Sequence, residues 1–178
     1  MVDTSVLAWI IDPAANMPAP PVGVVGDVGA RLQQLVAELD RDRAELAIPT
    51  PVLAEIFSAA GRDPAAILAD LSGRSGVLVL PFSEREAIEC GLLLREMLPV
   101  EARQGRPRQL VKFDAQIVAI AKTAGASMIL TTDAGLAAAA KRAGIAAPSL
   151  WDFPMPLSDA QGALPLDPPA AAKPPGTR

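Results

Sequence analysis

The sequence predicts an α/β fold, a three-layer α/β/α sandwich around a short, mostly parallel sheet. Three observations carry this. Short apolar runs alternate with stretches of helical period over residues 1–150. The runs at 46–48, 77–80 and 127–130 are bounded by Gly or Pro and read as strands covered on both faces. Half the residues are apolar, yet aromatics make up only 3%, and alanine supplies much of the rest. That composition suits close packing of helices rather than a core of large side chains.

The elements follow in order. Val2-Asp3 reads as the end of a first strand that is either very short or begins upstream of Met1, followed by an apolar stretch to Ile11 that Asp12-Pro13 breaks. Residues 12–27 hold Pro13, Pro18, Pro20 and Pro21 and read as a loop. Residues 28–45 place Val28, Leu32, Leu35, Val36 and Leu39 at helical spacing. Leu46-Ala47-Ile48 is a buried strand ended by Pro49. Thr50 is the expected N-cap of the next helix, with Pro51 at the first helical position and Glu55 on its first turns. Gly61 ends that helix, and another follows Asp63-Pro64. After the strand Val77–Leu80, Ser83 and Glu86 have the spacing of a capping box for a helix to Leu98. Residues 99–112 read as a basic loop, and a helix runs from about Phe113 to Ala124. Ser127–Leu130 is a strand, Thr131-Thr132-Asp133 leads into an alanine-rich helix, and Ile145–Leu150 is the last strand.

The 178 residues divide into one domain, 1–153, and a flexible Pro/Ala-rich tail, 154–178. Cys90 is the only cysteine and falls in a helical pattern, as a small core residue does. The absence of histidine removes Ser/His/Asp and Cys/His catalysis within one chain, and with a single cysteine it removes a structural zinc site. The net charge of −4 opposes wholesale electrostatic binding of nucleic acid but permits a local basic patch. No signal peptide or membrane-length apolar run is visible, so a cytoplasmic location without membrane contact is expected.

Four carboxylates share one context. Asp3 and Asp133 follow strands, Asp114 opens an apolar helix, and Glu55 lies on a helix after a strand. Singly, each has a plain structural reading: Asp3 as an incidental acid beside the N-terminus, Asp114 as a helix N-terminal acid, Asp133 as an N-cap, Glu55 as a solvated helix position. Together they fall where a parallel sheet gathers ligands, at one end of its strands. Like charges brought that close repel, and a hard cation such as Mg²⁺ or Mn²⁺ relieves the repulsion.

The segments D-T-S-V-L (Asp3), P-T-P-V-L-A-E-I-F (Glu55), K-F-D-A-Q-I-V-A-I-A-K (Asp114) and I-L-T-T-D (Asp133) resemble, in order and spacing, the four acidic motifs of the PIN-domain family. The likeness is strongest to its VapC-like toxins of type II toxin–antitoxin systems and covers about residues 1–150. It implies one or two Mg²⁺ or Mn²⁺ ions, cleavage of single-stranded RNA, a cognate antitoxin and a homodimer. Asp3, Glu55, Asp114 and Asp133 would be the catalytic, metal-binding acids. Thr4, Ser5 and Thr131 would hold those acids by hydrogen bonds. The proline-rich insert at 12–27 departs from the pattern at the mouth of the site.

Arg103, Arg106, Arg108 and Lys112, with no acid between Arg103 and Asp114, are the expected contacts to an RNA backbone. Trp9 and Phe113 are assigned to the core rather than to base stacking. G-V-V-G-D-V-G at 23–29 superficially resembles a dinucleotide loop but lacks a preceding strand. The competing functions are a non-catalytic nucleic-acid-binding or scaffold protein of the same fold and a Mg²⁺-dependent phosphatase. For phosphotransfer of that kind the second aspartate, two residues after Asp3, is replaced by Ser5.

Overall fold

The structure is a computed structural model that describes residues 1–155 except 13, 14, 16–18, 25, 60 and 62. The expected tail therefore falls almost wholly outside the described residues, as does part of the 12–27 insert. The element order is α1 (Thr4–Ile11), α2 (Val28–Asp42), β1 (Leu46–Pro49), α3 (Thr50–Ala59), α4 (Pro64–Ser72), β2 (Val77–Leu80), α5 (Glu84–Arg103), α6 (Arg108–Thr123) and α7 (Ala134–Arg142). A 3-10 turn at Leu150–Asp152 follows.

The alternation builds the predicted α/β sandwich on a short parallel sheet. β1 and β2 pair in parallel, Leu46 opposite Val77 through Pro49 opposite Leu80. Three further segments extend the sheet. The Val2 N–H donates to Ala47 O at 3.0 Å, and the Asp3 N–H donates to Leu130 O at 3.1 Å. Ile129 N–H donates to Ala146 O at 2.8 Å. The bridges Val2–Leu130 and Met128–Ala146 are both parallel. The spatial order is therefore β2, β1, residues 1–3, residues 128–131, residues 145–148. The last strand expected over 145–150 reduces to this bridge, because Leu150 already enters the 3-10 turn capped by Ser149.

Local chemistry sets most boundaries. Asp27, Asp63 and Asp133 each accept a backbone N–H as N-caps, and Ser83 with Glu86 forms the capping box. Thr50 departs from its expected role. It lies inside α3, and its hydroxyl instead accepts the Phe82 N–H at 3.0 Å, tying α3 to the end of β2.

The largest correction concerns residues 99–112. α5 continues through Pro99 to Arg103, and α6 begins at Arg108, leaving only 104–107 as connection. Proline inside a helix costs about 3 kcal/mol. Here the stripe Cys90, Leu93, Met97 and Glu101 stays buried on both sides of Pro99, and that packing holds the helix together. The earlier start of α6 moves Asp114 from a helix terminus into its second turn, where Asp114 is buried.

α6 is buried nearly all round, through Val111, Ala115, Ile117, Val118, Ala119, Ile120 and Ala121. Its small alanines let α3, α5 and α7 approach closely. Trp9 is buried at 6.4 Å from the Trp151 ring, Phe113 packs on the core, and Cys90 is buried.

Candidate active site

Strands running in one direction end on one edge, and three connections there supply polar side chains. The first strand ends at Asp3 and becomes α1, β1 becomes α3, and residues 128–131 lead into Asp133 and α7. α6, packed against α3 and α7, brings Asp114 to the same edge.

Asp3 is buried and anchored on both oxygens. Oδ1 accepts from the Val6 N–H at 3.0 Å and the Ser5 hydroxyl at 2.8 Å, and Oδ2 accepts from the Thr131 hydroxyl. Burial raises its pKa; the Thr131, Val6 and Ser5 bonds oppose that, and the Asp133 charge adds to it. Thr131 Oγ1 also accepts the Asp133 N–H at 2.9 Å, so one hydroxyl links two of the acids. Thr132 extends the lattice with a 2.9 Å bond to the Ser5 hydroxyl. The Thr4 hydroxyl donates to Glu55, which is exposed at the rim.

Asp114 is set differently. Its Oδ2 lies 2.6 Å from Arg106 Nη1, yet neither atom completes a hydrogen bond of acceptable angle. The contact is therefore an ion pair by distance, with a carboxylate oxygen left short of a donor. Burial pushes the Asp114 pKa up to about 6, against the attraction of Arg106 and with help from Asp133 and Glu101.

Arg106 joins the remaining acids. Nη2 is 3.4 Å from Asp133 Oδ1, and Nη1 is 3.6 Å from Glu101 Oε2. Asp133 Oδ1 also caps α7 through the Leu136 N–H at 2.8 Å, so capping and site membership coincide in one residue. The four sequence-predicted acids are thus linked through single intermediaries: Thr4 joins Glu55 to the segment of Asp3, Thr131 joins Asp3 to Asp133, and Arg106 joins Asp133 to Asp114. Among the described residues, no three acids stand close enough to form a ready metal-ligand cluster.

Arg103, Arg108 and Lys112 are exposed, whereas Arg106 turns inward with 16% of its side chain accessible. Sequence reasoning missed Glu101, Thr132 and this inward placement. Glu101 is 2% exposed and also pairs with Arg142. Its signal was present: it continues the 90, 93, 97 stripe, once Pro99 is allowed inside a helix. Beside Asp133 a cleft of about 400 Å³ is lined by Thr132, Lys141 and Ser149, together with Ala19 and Pro21 of the insert.

The donor set is hard: carboxylates and hydroxyls, with one buried carboxylate oxygen unsatisfied and two acids held above their ordinary pKa. Such a set fits a divalent cation that binds through oxygen.

The family model for the PIN domain matches residues 29–142, a span that includes Glu55, Asp114 and Asp133, and the chain belongs to that family. Among solved structures it is similar to a DNA-bound VapBC from Salmonella typhimurium, with TM-score 0.51 and 21% identity over 84% of this chain and 96% of that one. It is also similar to VapBC2 from Rickettsia felis bound to a promoter DNA fragment, with TM-score 0.52 and 14% identity over the same shares. At those identities the likeness is one of fold. Comparison with curated protein sequences gives no match. Among the described residues, no helix is long and apolar enough to cross a membrane.

Proposed function

We propose that this protein is a Mg²⁺- or Mn²⁺-dependent endoribonuclease, the toxin of a toxin–antitoxin pair. The observation that carries this is the assembly of Asp3, Asp114 and Asp133 at the carboxyl edge of a parallel sheet, with Glu55 at its rim. Membership of the PIN family supports a nuclease, and the two VapBC likenesses support an antitoxin partner. A homodimer and a cytoplasmic setting complete the reading.

Asp3, Asp114 and Asp133 would hold the cation, which supplies Lewis acidity at the attacked phosphate and a more acidic water. The chain's own groups do the rest. Ser5, Val6 and Thr131 hold Asp3 in one orientation, and the α7 N-terminus holds Asp133. The chain has no histidine to take the proton of the attacking water, which leaves a site carboxylate or the ionisation that the cation itself would promote. Asp114 is the buried carboxylate of the set, with Oδ2 2.6 Å from Arg106 Nη1. In-line attack forms a new P–O bond and breaks P–O3′; the water proton leaves to a site carboxylate oxygen not engaged by the cation or to solvent, and the leaving O3′ is protonated from solvent. Arg103, Arg108 and Lys112 lie exposed next to this edge, suited to neutralising the RNA backbone. With few aromatics to stack bases, sequence readout by this chain alone is weak.

The test is incubation of single-stranded RNA with the protein and with Asp114→Asn, each with Mg²⁺, Mn²⁺ or EDTA. Cleavage that needs both metal and Asp114 is expected. Equal cleavage by the variant would sink the assignment. Turnover of small phosphoesters without RNA cleavage would favour a phosphatase.

A further inference from the structure

Arg106 occupies a built seat among the acids. Its backbone is fixed by a tight turn: Gln104 N–H and Arg106 N–H both donate to Glu101 O, at 3.0 and 3.1 Å. Gly105 stands at φ +70°, a conformation that favours glycine. From this turn the side chain lies against the first turn of α7. A Cβ on Gly135 would overlap the Arg106 guanidinium directly. Gly135 has an ordinary helical backbone, so the space it leaves serves the guanidinium rather than the chain path. Behind the seat Glu101 is held by Arg142 through one oxygen and lies 3.6 Å from Arg106 through the other. In front of it Nη1 reaches Asp114 and Nη2 reaches Asp133.

We propose that Arg106 is a resident counter-cation that competes with the divalent metal for Asp114 and Asp133. This inference rests on the metal-dependent reading above. A single charge on Arg106 already offsets the repulsion among Asp114, Asp133 and Glu101, which would otherwise oppose folding in the absence of metal. A divalent cation at Asp114 Oδ2 and a guanidinium 2.6 Å from the same oxygen exclude each other by size and by charge. Metal entry therefore requires the guanidinium to leave Oδ2. Arg106 meets Asp114 through one nitrogen at 2.6 Å and Asp133 through one long hydrogen bond at 3.4 Å, and it forms a bidentate pair with neither. An arginine that merely clamped the fold would be expected to form the bidentate pair that guanidinium and carboxylate make readily.

Two consequences follow. Metal affinity in the whole chain is set below what the carboxylates alone would give, so the site stays metal-free at low cation concentration without losing its shape. The displaced guanidinium, tethered by its turn, remains at the edge where an RNA phosphate would arrive.

The experiment is Mn²⁺ binding to the full chain, followed by calorimetry and by the EPR signal of free Mn²⁺, for wild type, Arg106→Gln and Gly135→Ala. Removing an opposite charge at this range is worth roughly a tenfold change or more. Arg106→Gln should therefore bind Mn²⁺ at least about tenfold more tightly. It should melt lower than wild type without metal and gain more from Mn²⁺. Gly135→Ala keeps the charge but fills the seat, and it too should bind Mn²⁺ more tightly; it carries the test if Arg106→Gln fails to fold. Folded Arg106→Gln with Mn²⁺ affinity equal to or weaker than wild type would overturn competition and make Arg106 a clamp. Absence of Mn²⁺ binding in all three proteins would instead overturn the metal-dependent reading, and this inference with it.

Discussion

Glu86 and Asp114 are both carboxylates in α5–α6 networks, and their environments drive them in opposite directions. Glu86 accepts from the Ser83 N–H at 3.0 Å, from the Ser83 hydroxyl and from the Thr123 hydroxyl at 2.7 Å. Those donors, Ser83 first, hold its pKa down at about 2. Asp114 is faced by Arg106 and by the like charges of Asp133 and Glu101, and desolvation wins, raising its pKa to about 6. Glu86, whose donors favour its charged form, fixes a helix start. A desolvated carboxylate with an unsatisfied oxygen is costly to fold and available to a proton or a cation. Asp3 lies between them: three donors serve it, yet burial still raises its pKa.

The sharpest way to break the contrast is to neutralise each acid in turn. Asp114→Asn should lower metal-dependent RNA cleavage by about 100-fold or more, since even partners outside a ligand set commonly cost 10–100-fold. Glu86→Gln should leave cleavage unchanged. Comparable losses in both variants, measured as rates on one RNA, would erase the distinction.

Thr131→Val probes the intermediate case. It removes the donor to Asp3 and the acceptor of the Asp133 N–H. Mn²⁺ affinity should fall by roughly 10–100-fold, with stability lower by about 1–3 kcal/mol in denaturant unfolding. Unchanged Mn²⁺ binding would show that Asp3 needs no such holder.

The two acids should also impose opposite pH dependences. Asp114 has a folded pKa raised from 3.8 to about 6, so the metal-free folded state binds the extra proton. Its contribution to stability is therefore most favourable below 3.8 and declines as pH rises through about 6. Metal affinity runs the other way, because the proton competes; Mn²⁺ should bind roughly tenfold more weakly one unit below that pKa than well above it. Flat binding across this window would remove Asp114 from the ligand set.

The smallest expected effect is at Glu86. Its folded pKa of about 2 lies below the ordinary 4.5, so it stabilises above 4.5 and that contribution is lost as pH falls through about 2. Melting of Glu86→Gln should be lower than wild type at neutral pH and converge with it in acid. A gap constant with pH would mean the hydroxyl bonds, not the charge, matter.

Residue periodicity and caps determined much of the molecule. The runs at 46–48 and 77–80, the capping box at Ser83–Glu86, and Asp63 and Asp133 before their helices were legible because each depends on neighbours within four residues. Alternation of strand and helix was enough to give the sandwich, since parallel strands need crossovers that cover both faces. The motif order was legible as far as the family.

What the tertiary structure alone decided lies between residues 99 and 114. Pro99 and a row of basic residues argue locally for a loop, and burial of Met97 and Glu101 overrides them. Whether Thr50 caps its own helix depended on Phe82, which lies 32 positions away. That Arg106 turns inward rather than toward solvent depended on Glu101, Asp114, Asp133 and the missing side chain at Gly135, which no local pattern brings together. Local structure follows from short-range hydrogen bonding and side-chain period. The charge of a site follows from which distant residues share one low-polarity space, and only the packed chain sets that.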